Sequence, residues 1–226
     1  MRAVHLSEED HELVTAAIVA AERESSGEIV TVVAARSDAY HDVGLHYAVL
    51  AMLAVPGIIA ILPEAWVTGA MAWWLGWNGE PTRGGLMLAL FVAMILAFLI
   101  ARYALAWMPL RMALTPGRTK TRRVRRRAIE IFRTGAEQKT LGRTGVLVYL
   151  SLAEHRAEIV ADRAIHSKVE PEIWGEAMAV LIAETKGDRP GQGMALAVAK
   201  IGAVLAQILP PEEDNPNELP DRVVEL

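Results

Sequence analysis

Residues 84–108, GGLMLALFVAMILAFLIARYALAWM, constrain the chain more than any other stretch, because positions 84–101 contain no Lys, Arg, Asp or Glu. About 20 predominantly apolar residues cross a bilayer as a helix, and roughly 18 uncharged ones already make a candidate. Arg102 stands near the end of the run, where its long stem can carry the guanidinium to the headgroups. A buried core helix is the alternative reading. Against it stands a second run, 43–62, VGLHYAVLAMLAVPGIIAIL, again without Lys, Arg, Asp or Glu. Two such runs this close together read as a two-helix transmembrane hairpin over 43–108. Pro56 and Gly57 inside the first span are tolerable, since membrane helices accept a kink where neighbours re-satisfy the freed backbone groups.

Flanking charge orients the hairpin. Beyond the second span Arg111, Arg118, Lys120, Arg122, Arg123, Arg125, Arg126 and Arg127 follow within a few turns, whereas the loop 63–83 carries only Arg83. Basic residues this close to a span mark the cytoplasmic side. The expected topology therefore has both termini cytoplasmic and the loop 63–83 external, in a bacterial inner membrane. Arg118, Lys120, Arg122, Arg123, Arg125, Arg126 and Arg127 would then face anionic lipid of the inner leaflet. A nucleic-acid reading of the same run lacks a base-reading fold or interleaved aromatics. Trp66, Trp73, Trp74 and Trp77 crowd the inter-span loop and Trp107 ends the second run. Trp prefers the headgroup level, so these five read as interfacial anchors before they read as an aromatic cage for a ligand.

Across the 226 residues 53% are hydrophobic, above the roughly 45–50% usual for soluble domains, and the two runs account for the excess. The formal charge of -4 hides a basic centre and acidic ends. With no cysteine there can be no disulfide, thiol nucleophile or thiolate metal site. The first 40 or so residues read as a polar helix and a strand, which argues against a cleavable signal peptide.

The remaining segments, 1–42 and 128–210, suffice for one small domain, split by the hairpin and by a basic juxtamembrane segment, 109–127. Ser7 with Glu8, Glu9 and Asp10 predicts a helix start. Val14, Ala17, Ile18 and Ala21 give it an apolar stripe, and Gly27 offers a stop. GEIVTVVAA is β-rich without alternation, which suits a strand covered on both faces. A helix is expected from about Arg125 to Lys139, with Ala128, Ile131, Phe132 and Gly135 on one side. Gly142 and Gly145 bracket the entry to a strand, TGVLVYLSL; AEHR turns, and AEIVAD returns. Two helices follow Asp162. One starts at Pro171 with Ile173, Ala177, Val180 and Leu181 inward; the other carries Met194, Val198, Ile201, Leu205 and Ile208 and ends at Pro210 and Pro211. Residues 211–226 are acidic and Pro-rich and read as a flexible tail.

SGEIVTVVAA at 26–35, RRRAIEIF, and above all RTGVLVYLSLAEHRAEIVAD resemble the TPM-domain family, which includes thylakoid-lumen and photosystem-repair proteins and many bacterial membrane proteins. The resemblance covers nearly all of the soluble part and implies a small α/β/α sandwich with a mixed sheet, whose strand order is left open. Members commonly keep the whole domain outside the cytoplasm, with any membrane helix after it, whereas here the hairpin interrupts the domain.

Two functions from different classes fit. In the first, the domain is an interaction or assembly module at the inner membrane, with a protein partner or a second copy of the chain. In the second, Glu28 and Asp162, at strand ends that match the family's motif, hold calcium or magnesium for a weak phosphatase-like hydrolysis, as the resemblance implies for some relatives. No phosphate-cradling loop or nucleophile elbow accompanies these carboxylates, and each has a structural reading, Asp162 as a cap and Glu28 as a partner of Arg163. The alternative ligand set His41, Asp42 and His46 matches no familiar metal spacing and reads as a polar collar. A channel or transporter would need ionisable residues within the spans or several copies.

Overall fold

In the computed structural model, which describes residues 6–75, 82–135, 144–211 and 222–226, Ser7 opens helix α1 (Glu8–Arg23) with a full capping box. Its hydroxyl accepts from the Asp10 N–H, and the Asp10 carboxylate accepts in turn from the Ser7 N–H. Val14, Ile18 and Ala21 form the buried stripe. The helix stops at Arg23, earlier than Gly27 suggests. Gly27 serves packing instead, since a Cβ there would stand 3.0 Å from Leu205 Cδ1.

The chain divides into two compact units, 39–116 and a discontinuous one made of 1–38 with 117–226. The discontinuous unit is built on a four-stranded mixed sheet of order β3-β2-β1-β4. Strands β1 (Glu28–Ala34) and β2 (Gly145–Ser151) run parallel, from Glu28 opposite Gly145 to Ala34 opposite Ser151. A tight turn then returns β3 (Arg156–Ala161) antiparallel to β2.

Both faces of the sheet are covered, which explains the near-continuous apolar runs of β1 and β2. On one face Ile29, Val33, Val146, Val148 and Leu150 join the larger core with α1, α8 (Pro171–Lys186) and α9 (Pro190–Ile208). On the other, Val32, Ala34, Leu147 and Tyr149 meet Val124, Ala128 and Phe132 of α6 (Gly117–Gly135). The unit is thus an α/β sandwich with helices on each side of a small mixed sheet.

Three boundaries differ from the sequence reading. Helix α6 begins at Gly117, two turns before Arg125, so the segment read as a basic linker is largely helical; Lys139 and Gly142 lie outside the described residues. A short helix, α7 (Arg163–His166), precedes α8. Finally, the chain end is not a free tail. Val224 and Glu225 form β4, parallel to Val32 and Val33 on the outer edge of β1, and Val223 is buried. The Glu225 carboxylate accepts from the Leu6 N–H at 3.1 Å and lies 2.8 Å from His11 Nε2, fastening the end of the chain to its beginning.

The other unit holds α2 (His41–Ile61), α3 (Glu64–Leu75), α4 (Arg83–Ala104) and α5 (Met108–Leu114). Helices α2 and α4 pack on each other yet remain apolar on their outer surfaces. No residue of α4 is buried, and Leu50, Ile61, Leu88 and Ile100 are each more than 60% exposed. Below the helices, buried Arg111 donates to the carbonyls of Leu105 and Ala39, each at 2.7 Å, joining the end of α4 to the chain entering α2.

Among the described residues three helices, not two, are long and apolar enough to cross a membrane: α2, α4 and α9. They are not equivalent. The best window has a mean hydropathy of 2.0 in α2 and 2.7 in α4 but 1.3 in α9, and 44% of the α9 window is buried against 11% and 0% for the others. Met194, Val198, Ile201 and Leu205 place α9 inside the sandwich core.

Candidate functional site

Register puts the two carboxylates singled out in the sequence on either side of Gly145. Glu28 pairs with Gly145 across β1 and β2, and its N–H donates to the Thr144 carbonyl at 3.1 Å. Asp162, just past β3, donates from its N–H to the Gly145 carbonyl at 3.0 Å, and its carboxylate accepts the Gly145 N–H at 3.0 Å. Both residues are buried. They stand two strand spacings apart, roughly 10 Å along the sheet. The Asp162 side chain does not cap α7; it closes the start of β2 instead. A hard cation takes six or more oxygen ligands, and among the described residues no group of three or more His, Asp or Glu is placed to hold a metal ion. Of the polar collar, His41 Nδ1 lies 3.3 Å from the Arg111 guanidinium.

At the opposite, carboxyl end of the parallel strands lies a polar cluster that the sequence reading missed. Ser37 Oγ is 2.9 Å from the Tyr149 hydroxyl and donates to Ser151 Oγ at 2.9 Å, which in turn donates to Glu154 Oε2 at 2.5 Å. The other Glu154 oxygen accepts the Ser37 N–H at 3.0 Å. With Ser37 and Ser151 both donating towards the carboxylate, Tyr149 is left as donor to Ser37, so the protons of the chain all point one way. Burial pushes the Tyr149 hydroxyl above its ordinary pKa; the hydrogen bond with Ser37 opposes this and the Glu154 charge adds to it. Carboxyl strand ends are where α/β sheets tend to hold ligands. Here, however, Ser151 and Tyr149 have no solvent exposure, so a substrate cannot reach the hydroxyl that Glu154 would activate. The network instead ties the segment leaving β1 to the β2–β3 turn, and Asp38 extends it to α6 through Arg123 at 2.8 Å. Only the Ser151-x-x-Glu154 spacing at a turn was a local signal for it; Ser37 is more than a hundred residues away.

The basic residues of α6 fall into two groups. Arg123 turns to Asp38 with its side chain only 17% exposed, and Arg127 pairs with Glu130 one turn on. Arg125 reaches the half-buried Glu158 at 3.5 Å; burial raises the Glu158 pKa and the Arg125 charge draws it part of the way back. No ion pair or hydrogen bond joins the side chain of Arg118, Lys120, Arg122 or Arg126 to another described residue. Of the tryptophans, Trp66 and Trp73 stand exposed on α3, and Trp107 is exposed before α5. The Trp74 side chain and all of Trp77 lie outside the described residues.

No protein-family model matches the chain, and no curated protein matches it. Among solved structures, the NMR structure of BA42 protein from the psychrophilic bacterium Bizionia argentinensis is similar in fold, with a TM-score of 0.56 and 16% sequence identity over 100% of this chain and 98% of that one. At that identity the likeness concerns the fold alone.

Proposed function

We propose that the chain is an integral membrane protein whose α/β domain works as an interaction or assembly module at the inner face of a bacterial plasma membrane, a TPM-like domain interrupted by a two-span hairpin. The observation that carries this reading is the outer surface of α2 and α4. A 226-residue chain that leaves Leu50, Leu53, Leu88, Phe91, Leu96 and Ile100 each at least half exposed presents an apolar outer surface along the middle of these helices, and hydrocarbon is the solvent that suits it. The arginines after the second span favour a cytoplasmic domain and an external 63–83 segment. The burial of Ser151 and the engagement of Asp162 with the Gly145 N–H favour a module that presents surfaces over one that turns over a substrate.

Alkaline carbonate extraction of membranes from cells expressing the full chain tests the anchoring. The protein should stay in the pellet, and release into the supernatant would overturn the reading. The hydrolase alternative keeps Glu28 and Asp162 as its residues and requires a calcium- or magnesium-dependent phosphatase activity that Asp162→Asn reduces.

A further inference from the structure

The exposed arginines of α6 are not scattered. At roughly 100° per residue, Arg118, Arg122, Arg125, Arg126, Ile129 and Arg133 fall within an arc of roughly 100°, to one side of the buried Val124, Ala128 and Phe132. Arg123 and Arg127 lie further round the helix, where Asp38 and Glu130 engage them. A shallow hollow of about 610 Å³ runs along the arc, lined by Arg122, Arg125, Arg126 and Arg133 around Ile129, with Glu130 and Thr134 at its edge. No ion pair or hydrogen bond joins the side chain of Arg118, Arg122, Arg126 or Arg133 to another described residue, and Glu130 is the single acidic residue of the helix. Four solvated guanidiniums on one ridge, with an aliphatic side chain among them, form a surface for phosphate-bearing headgroups, because the planar fork matches phosphate oxygens two at a time.

We infer that this ridge, Arg118-Arg122-Arg126-Arg133 with Ile129 at its centre, lies against the anionic phospholipid surface of the membrane in which the hairpin is anchored. The inference rests on the membrane reading above and assigns its lipid contact to particular residues. Chain continuity and charge complementarity select this occupant. Helix α6 starts three residues after α5 and within 13 residues of the end of α4, so a ridge on α6 is tethered to the bilayer, where effective concentration favours the nearest anionic surface. Arg123 has no part in it, being held in the domain by Asp38.

The cysteine-free chain permits a clean test. Ile129→Cys carrying a nitroxide is introduced into the full-length protein, which is placed in nanodiscs of phosphatidylcholine alone or of phosphatidylcholine with phosphatidylglycerol. The accessibility of the label to a water-soluble nickel relaxation agent is then read. The label should be shielded in anionic discs and open in neutral ones. Shielding should be lost in 1 M salt, where the Debye length falls to about 3 Å. In anionic discs R118Q/R122Q/R126Q/R133Q should open the label, whereas Arg123→Gln should leave it shielded. Equal accessibility in the two lipid compositions would overturn the inference, and so would shielding that Arg123→Gln removes as fully as the ridge variant. Salt-sensitive retention of an RNA oligonucleotide that anionic lipid cannot displace would overturn it in favour of nucleic acid. A nanodisc has no inside or outside, so a wrong topology would leave this result standing and would appear only in labelling of intact cells.

Discussion

Gly202 and Ala21 form a close approach of α9 to α1, and Gly202→Ala should loosen that seam. A Cβ at Gly202 would stand 2.4 Å from Ala21 Cβ and 3.1 Å from Ala21 Cα, whereas carbon atoms in optimal contact sit about 3.5–4.0 Å apart. The helices must part by about an ångström, and with them the packing of Ile18 and Val14 on the larger core. Overpacking of this kind costs about 1–3 kcal/mol, offset by about 1 kcal/mol from replacing glycine with alanine inside a helix. The net loss should be about 0–2 kcal/mol. The assay is urea unfolding of the full chain in mild detergent, followed by near-ultraviolet circular dichroism, in a double-mutant cycle with Ala21→Gly. That partner substitution is itself destabilising, by about 1 kcal/mol in helix propensity and about 0.8 kcal/mol in lost methyl burial. Yet it opens the space that the new methyl needs, so the double variant should be more stable than the sum of the singles by at least about 1 kcal/mol. Additivity within about 0.5 kcal/mol would refute the close approach as the cause.

Other expectations concern the sheet and its ends. Because burial holds the Glu158 pKa above the ordinary carboxylate value, the unfolded chain gives up this proton first. Its stabilising share is complete below the ordinary value and is lost as pH rises through the raised one. Glu158→Gln should flatten that part of the stability profile, measured as urea midpoints between about pH 4 and about pH 7. Glu225→Ala removes the acceptor of the Leu6 N–H and the partner of His11; it should cost about 1–3 kcal/mol and speed hydrogen exchange at Leu226 and Ala35, whose N–H groups donate to the Val33 and Leu226 carbonyls. With the Asp162 carboxylate accepting the Gly145 N–H, the melting temperature of the wild type should not respond to millimolar calcium or magnesium. Asp162→Asn should destabilise by about 1 kcal/mol, since the amide still accepts but without charge; a metal-induced rise that Asp162→Asn abolishes would support the hydrolase reading instead.

Local chemistry was readable where it was strong. The Ser7 box, the Val14-Ile18-Ala21 stripe, Pro171 at a helix start and the doubly covered β1 all follow from patterns within a few residues. The start of α6 was hidden because RTKTRR has no apolar periodicity before Val124, so only Pro116 ahead of Gly117 marked it. Strand β4 was hidden for another reason. Its two residues have no independent strand character and form one only because β1 offers an unpaired edge, a fact of topology. The same holds for the Ser37-Tyr149-Ser151-Glu154 network, which depends on parallel register between distant strands. Hydropathy separates α9 from α2 and α4 only in degree, 1.3 against 2.0 and 2.7, since all three have the length and composition of a span; burial of one face of α9 completes the distinction.

Sidedness in living cells is the measurement closest to the centre of the account. Two single-cysteine variants of the cysteine-free chain serve: Ala70→Cys on α3 and Glu12→Cys on the outer face of α1, both exposed positions. With a membrane-impermeant thiol reagent on intact cells, Ala70→Cys should label, and Glu12→Cys should label only after the membrane is permeabilised. Labelling of Glu12→Cys in intact cells while Ala70→Cys stays protected would contradict the arrangement, and with it the domain's place at the inner face.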